Sequence, residues 1–185
     1  MFIVLEGVDG CGKSTHAKLL AEWLRERELE VLLTAEPTGG RTGKLIREVL
    51  SGKVKAEPRA LALLFTADRA EHMPEIKSAL DEGKVVVSER YYHSTVAYQA
   101  AQGVERWWLL KINDFAIEPD LVLFLDVKPS VGVKRTKTRE IFEEGGFLEK
   151  VRAEYLKFRG LKAVDSGRPV DVVQEEIRSI VSGLM

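Results

Sequence analysis

Residues 7–15 read GVDGCGKST and follow directly on the apolar run Phe2, Ile3, Val4, Leu5. Few stretches this short restrict a fold so tightly. Gly7, Gly12, Lys13 and Ser14 satisfy G-x-x-x-x-G-K-[ST], a phosphate-binding loop when a strand precedes it and a helix follows. Ala17, Leu20, Ala21 and Leu24 recur at i, i+3, i+4 and i+7, the spacing of a helix with one buried face. The glycines let successive backbone N–H groups turn toward one anion, and the helix start adds its positive dipole end. Lys13 neutralises the β and γ phosphates, and the Ser14 hydroxyl can ligate Mg²⁺. The stretch is expected to hold the triphosphate of a nucleotide, with Asp9, Gly10, Cys11 and Thr15 completing the cradle.

The rest of the chain is patterned to carry that unit. Apolar runs near residues 2–6, 30–36, 84–89, 121–126 and 162–165 alternate with amphipathic stretches, which reads as a parallel sheet with crossover helices. Helices are predicted over 59–72, 94–102, 105–116, 148–159 and 170–181. Pro74 is expected to kink the first of these or to begin another that stops at Gly83, and Ser130 to cap a basic helix running to Gly145 and Gly146. The fold class is therefore α/β, one domain over residues 1–185, with a five-stranded parallel sheet and helices on both faces.

Composition narrows the partners. The 28 basic residues nearly balance the 29 acidic ones, so no bulk field favours nucleic acid or an anionic membrane. The longest apolar strings fall far below the roughly 20 residues of a membrane helix. The lone Cys11 cannot form an internal disulfide and serves as a small filler in the loop, so the expected location is the reducing cytoplasm. His16, His72 and His93 lack partners at metal-ligand spacing and read as structural or solvent-facing. Only four Asn and Gln residues occur, a weak sign of heat adaptation.

A nucleotide-hydrolysing switch and a phosphoryl-transferring kinase both use such a loop. A guanine-nucleotide switch needs N-K-x-D for its base, which is absent, and the only D-x-x-G lies inside the loop at Asp9–Gly12. The kinase reading is preferred.

The segments FIVLEGVDGCGKST (2–15), LLFTADRAEHM (63–73), VVVSERYYHSTVAYQ (85–99), PDLVLFLDV (119–127) and KRTKTRE (134–140) occur in the order and at the distances seen in thymidylate kinases, which the chain resembles over nearly its whole length. The resemblance implies the phosphate-loop kinase fold, ATP as donor, Mg²⁺, thymidine monophosphate (dTMP) as acceptor, and a homodimer. The alternatives are a kinase for another monophosphate or for a deoxynucleoside. Phe65 and Arg69, four apart on one predicted helix, match the family's base-recognition pair: a ring to stack and a guanidinium to donate to a carbonyl oxygen. Arg90 matches the arginine that grips the acceptor phosphate. Glu89 stands where most relatives have Asp, one methylene longer, beside the metal site that Ser14 would share. Ser94, Thr95 and Tyr98 match positions lining the nucleotide pocket, and Glu36 opens the family's E-P segment at the acceptor side. Asp9, odd in an anion-binding loop, matches the residue that accepts from the acceptor sugar's 3′-hydroxyl. Some relatives place an arginine in the loop, whereas others have a neutral residue there and load a lid with arginines. Gly10 and the basic run at about 134–147 put the chain in the second arrangement, with Arg135 and Arg139 reaching the phosphates on closure. Trp107 and Trp108, adjacent on one helix, cannot both hide easily, and a dimer seam is the family-based expectation.

Overall fold

A computed structural model describes residues 1–128 and 145–185. The predicted helix at Ser130, Arg135, Arg139 and most of the lid lie outside the described residues. In chain order the elements are β1 (Phe2–Glu6), α1 (Lys13–Arg25), β2 (Val31–Ala35), α2 (Arg41–Leu50), α3 (Pro58–Asp81), β3 (Val85–Glu89), α4 (Tyr92–Ala101), α5 (Arg106–Ile112), β4 (Leu121–Asp126), α6 (Gly145–Tyr155), β5 (Lys162–Asp165) and α7 (Val170–Ser182).

The five strands form one sheet of order β2-β3-β1-β4-β5, every pair parallel. Parallel strands are covered on both faces, which explains runs that are apolar without alternation. Ile3, Leu5, Val85, Val87, Leu121 and Leu123 cluster with Ala17, Leu20 and Leu24 of α1 and Val173 and Ile177 of α7. The intervening Phe2, Val4, Val86 and Val122 join Ile76 and Ala79 of α3 in a second cluster. Leu5 pairs with Glu89, and Glu89 with Ala35, so the loops after β1, β2 and β3 emerge side by side at the strands' carboxyl ends. Ligands bind at that edge in open α/β sheets.

The helices refine the sequence reading in places. Helix α3 continues through Pro74 without a second start. A mid-helix proline costs about 3 kcal/mol, and here buried residues on both sides of it, Leu61, Ala62, Arg69, His72, Ile76 and Ala79, hold one helix against the rest of the protein. Helix α2 was not among the predicted helices. Its Ile46 and Val49 are buried, and Gly43 passes so close to the Thr38 backbone that a Cβ would lie 2.0 Å from the Thr38 carbonyl oxygen. That glycine marks a close crossing, not a turn. Helix α5 stops at Ile112, short of the expected 116; Asn113 donates back to the Leu109 carbonyl (2.8 Å).

Candidate active site

A cavity of about 820 Å³ opens at the carboxyl ends of β1, β2 and β3. The loop from Asp9 to Thr15 forms its floor. Gly7, Gly10 and Gly12 all have positive φ, the conformation glycine adopts without strain. A Cβ on Gly7 would lie 2.7 Å from both the Leu125 carbonyl oxygen and the Cys11 Sγ, so the first loop position has no room for a side chain. Lys13, at the start of α1 and 5% exposed, donates through Nζ to the Gly7 and Val8 carbonyls (3.0 and 2.8 Å) and contacts Cys11 Sγ at 3.6 Å. Its ammonium is therefore fixed against the loop that it would serve. Ser14 Oγ donates to Glu89 Oε1 at 2.8 Å, bringing the loop hydroxyl and the end of β3 together.

Arg90 follows β3 with φ 69°, a left-handed conformation that a non-glycine residue adopts at a cost of about 1–3 kcal/mol. Its N–H donates to the Leu5 carbonyl (2.9 Å), its carbonyl accepts from Ser88 Oγ (2.8 Å), and the strain aims the side chain back at the loop. The guanidinium donates to Ser94 Oγ (2.9 Å) and Gly7 O (3.3 Å) and forms an ion pair with Asp9 Oδ1. Tyr98 donates to the other Asp9 oxygen at 2.8 Å. Burial works to raise the Asp9 pKa, but Arg90, Lys13 and Tyr98 outweigh it and hold the carboxyl below its usual range. The acid in the anion loop is thus neutralised by the arginine beside it.

Glu6, the last residue of β1, went unremarked in the sequence. It is completely buried and accepts from Tyr91 N–H (2.8 Å), Ser94 N–H (3.2 Å), Ser94 Oγ (2.6 Å) and Tyr155 Oη (2.9 Å). No side chain of its own segment caps α4, and this carboxylate from β1 takes the place of one. Burial raises its pKa against the opposing pull of Ser94, Arg90, Tyr155 and Tyr91. An acid closing an otherwise apolar strand was the available signal.

Toward β2, Phe65, Glu36, Thr95 and Tyr98 line the cavity together with Arg47 and Gln99, while Ser166, Arg168, Pro169 and Val170, after β5 at the opposite edge of the sheet, also line it; Arg47, Gln99 and these last four did not stand out in the sequence. Arg47 lies on the unexpected α2 and donates to the Thr38 and Pro37 carbonyls (2.6 and 2.5 Å). Asp68 grips the same turn, accepting from Thr38 N–H and Oγ1, each at 2.7 Å. Arg69 lies behind the wall, 1% exposed. Its guanidinium donates to Asn113 Oδ1 (2.5 Å), Glu36 Oε2 (2.6 Å) and Thr95 Oγ1 (3.1 Å), while its Nε has no partner among the described residues. Of the adjacent tryptophans on α5, Trp108 packs inward beside Val104 and Leu109, and Trp107 stays 69% exposed.

A parallel sheet of this order, a glycine loop feeding α1, and an arginine with an acid at the adjacent strand end together define a phosphate-loop nucleotide kinase. The sequence model of the family described as thymidylate kinase matches residues 5–177. A probable thymidylate kinase of Thermococcus kodakarensis is 44% identical over 202 aligned residues, covering 100% of this chain and 98% of the relative. Another, from Pyrococcus abyssi, is 45% identical and covers 97% and 95%. One from Methanocaldococcus jannaschii is 45% identical and covers 85% and 80%. The chain belongs to the thymidylate kinase family.

Proposed function

We propose that the protein transfers the γ-phosphoryl group of ATP to thymidine monophosphate, giving thymidine diphosphate. The observation that carries this is the convergence of the glycine loop, Lys13 and the Asp9–Arg90 pair on one cavity whose opposite wall holds Phe65, with Arg69 behind it. The donor's polyphosphate lies against the loop amides and Lys13. The acceptor's base stacks on Phe65 and takes an N–H from Arg69, and Asp9 and Tyr98 face its sugar. Arg90 spans the two phosphates.

The acceptor already carries ionised phosphate oxygens, so no strong general base is required. Positioning and charge neutralisation supply the rate. Arg90 neutralises charge on the migrating group from a guanidinium already oriented by Ser94 and the Gly7 carbonyl. On the family pattern, Arg135 and Arg139, which lie outside the described residues, are assigned to the same charge. The Ser14 hydroxyl and Glu89 carboxylate are hard oxygen donors 2.8 Å apart beside the loop, which suits Mg²⁺, an ion held by one or two protein oxygens plus substrate phosphates. When bound, Mg²⁺ neutralises and orients the β and γ phosphates.

Exposed Leu63 on α3 and Trp107 and Leu110 on α5 support a homodimer, which light scattering at micromolar concentration would report; a monomer there removes the seam. None of the helices among the described residues is long and apolar enough to cross a membrane, and we assign the protein to the cytoplasm. The testing experiment is phosphoryl transfer from ATP with Mg²⁺ across a panel of nucleosides and monophosphates. Preference for thymidine monophosphate is expected. Preference for a nucleoside lacking the 5′-phosphate contradicts the acceptor assignment.

A further inference from the structure

His72 lies one turn after Arg69 on α3, 2% exposed, and its ring bridges two elements. Nδ1 is 3.2 Å from Glu36 Oε1, and Nε2 is 2.7 Å from Thr34 Oγ1 on β2. An ionised carboxylate only accepts, so Nδ1 carries the proton that faces Glu36, and in the neutral ring Nε2 accepts from the Thr34 hydroxyl. The exposed Glu75 carboxylate lies 3.8 Å from Nε2, beyond hydrogen-bond reach.

The other oxygen of Glu36 accepts from Arg69 Nη2. A guanidinium has five N–H hydrogens. Among the described residues three are engaged, by Asn113, Glu36 and Thr95, and two are left, one on Nη1 and the one on Nε. A carboxylate beside a guanidinium favours two parallel bonds when both of its oxygens are free. Glu36 makes one, because His72 holds its second oxygen.

We propose that His72 is a positioning residue for acceptor-base recognition: by tying down one oxygen of Glu36, it limits that carboxylate to a single bond with Arg69 and keeps Arg69 N–H groups available to a base carbonyl. The inference rests on the reading above that Arg69 serves the base. Without His72, Glu36 turns its freed oxygen onto Arg69 and competes with the ligand for the same hydrogens. Affinity for the acceptor falls while transfer from the filled site persists.

Two nearly matched substitutions separate this from a packing role. The amide nitrogen of Asn falls near Nδ1 of the histidine it replaces, and that of Gln near Nε2. His72→Asn therefore keeps the donor to Glu36, and His72→Gln keeps only the contact to Thr34. For His72→Gln the expected result is a rise of about tenfold in KM for thymidine monophosphate, the worth of one hydrogen bond, with kcat and the KM for ATP within about twofold of wild type. His72→Asn should keep a KM near wild type although thermal unfolding shows comparable destabilisation of both. Equal KM increases in the two variants, or no increase in either, would overturn the inference. If neither variant folds, Thr34→Val decides, since it removes only the hydroxyl that fixes the ring: a raised acceptor KM upholds the inference and an unchanged one overturns it. Arg69→Ala separates the two levels. An unchanged acceptor KM there defeats the base reading itself, whereas a raised one beside a wild-type-like His72→Gln defeats only the role of His72.

Discussion

On the proposed reading, the donor and acceptor sides of the cavity are built by different means. The phosphate loop is contiguous, takes its anion-binding groups from the backbone, and depends on glycine conformations at Gly7, Gly10 and Gly12. The acceptor side is assembled from single side chains on five elements: Glu36 after β2, Phe65, Arg69 and His72 on α3, Thr95 and Tyr98 on α4, Asn113 after α5, and Arg47 on α2. A backbone cradle tolerates most side-chain changes but not loss of its one cation. A buried side-chain network transmits each change to its neighbours. The two sides should therefore fail differently when mutated: the loop in turnover, the network in affinity and in response to pH.

The largest effect is expected on the donor side. Lys13→Ala removes the loop's only ammonium and should lower kcat by about a thousandfold, in the range seen for deleting one preorganised charge donor, with the thermal midpoint little changed because the lost bonds lie within the loop itself. Single-turnover transfer and a melting curve on the same material check both halves. Next comes Arg90→Lys, which keeps the charge and loses the fork that reaches Asp9, Ser94 and Gly7 together. A fall of about a hundredfold in kcat is expected, since a point charge cannot replace planar, multidentate recognition. On the acceptor side Phe65→Ala should raise KM for thymidine monophosphate by about tenfold with kcat retained, the value of a lost stacking partner. Equal losses in kcat at Lys13 and Phe65 would erase the distinction between the two sides.

The smallest effect is a slope. His93 stacks on Tyr92 (4.0 Å) and meets Phe158 at a tilt (4.8 Å), and burial, followed by Arg69 and Arg106, pushes its pKa down to about 3. The unfolded chain takes up this proton near pH 6.5 and the folded one only near 3, so stability falls as the pH drops through that window. The slope is at most about 1.4 kcal/mol per pH unit. Glu6, with its pKa raised, opposes this loss, and Asp9, with its pKa lowered, adds to it only at the acid end. His93→Phe keeps the stacking and should flatten the acid limb in denaturant titrations between pH 7 and pH 4.

How much could be read from the sequence follows the same division. The loop was legible because its chemistry is local: spacing and glycine content prescribe it without knowledge of what lies across the fold. Whereas β5, Lys162–Asp165, is short and buries only Val164, the four longer strands were legible for a related reason, their apolar runs. Helix α2 was not, because Gly43 signals a close crossing with Thr38, which a one-dimensional pattern cannot distinguish from a turn. Pro74 left a kink or a second start open, and burial on both sides of it keeps one helix without the second start. The partners of Glu6, Asn113 and His72 could not be read, since they lie 85, 44 and 36 residues away in the chain. Arg135 and Arg139 fall outside the described residues and rest on the family pattern.

The central claim is that the loop amides and Lys13 hold a triphosphate while a separate acceptor occupies the wall of Phe65 and Glu36 in the same cavity. Calorimetry with a non-transferable ATP analogue tests it most directly, with and without Mg²⁺, followed by titration of thymidine monophosphate into the complex. The account predicts magnesium-dependent, one-to-one uptake of the analogue and then one-to-one binding of the monophosphate without displacing it. No uptake by folded protein, or mutual exclusion of the two nucleotides, would contradict it.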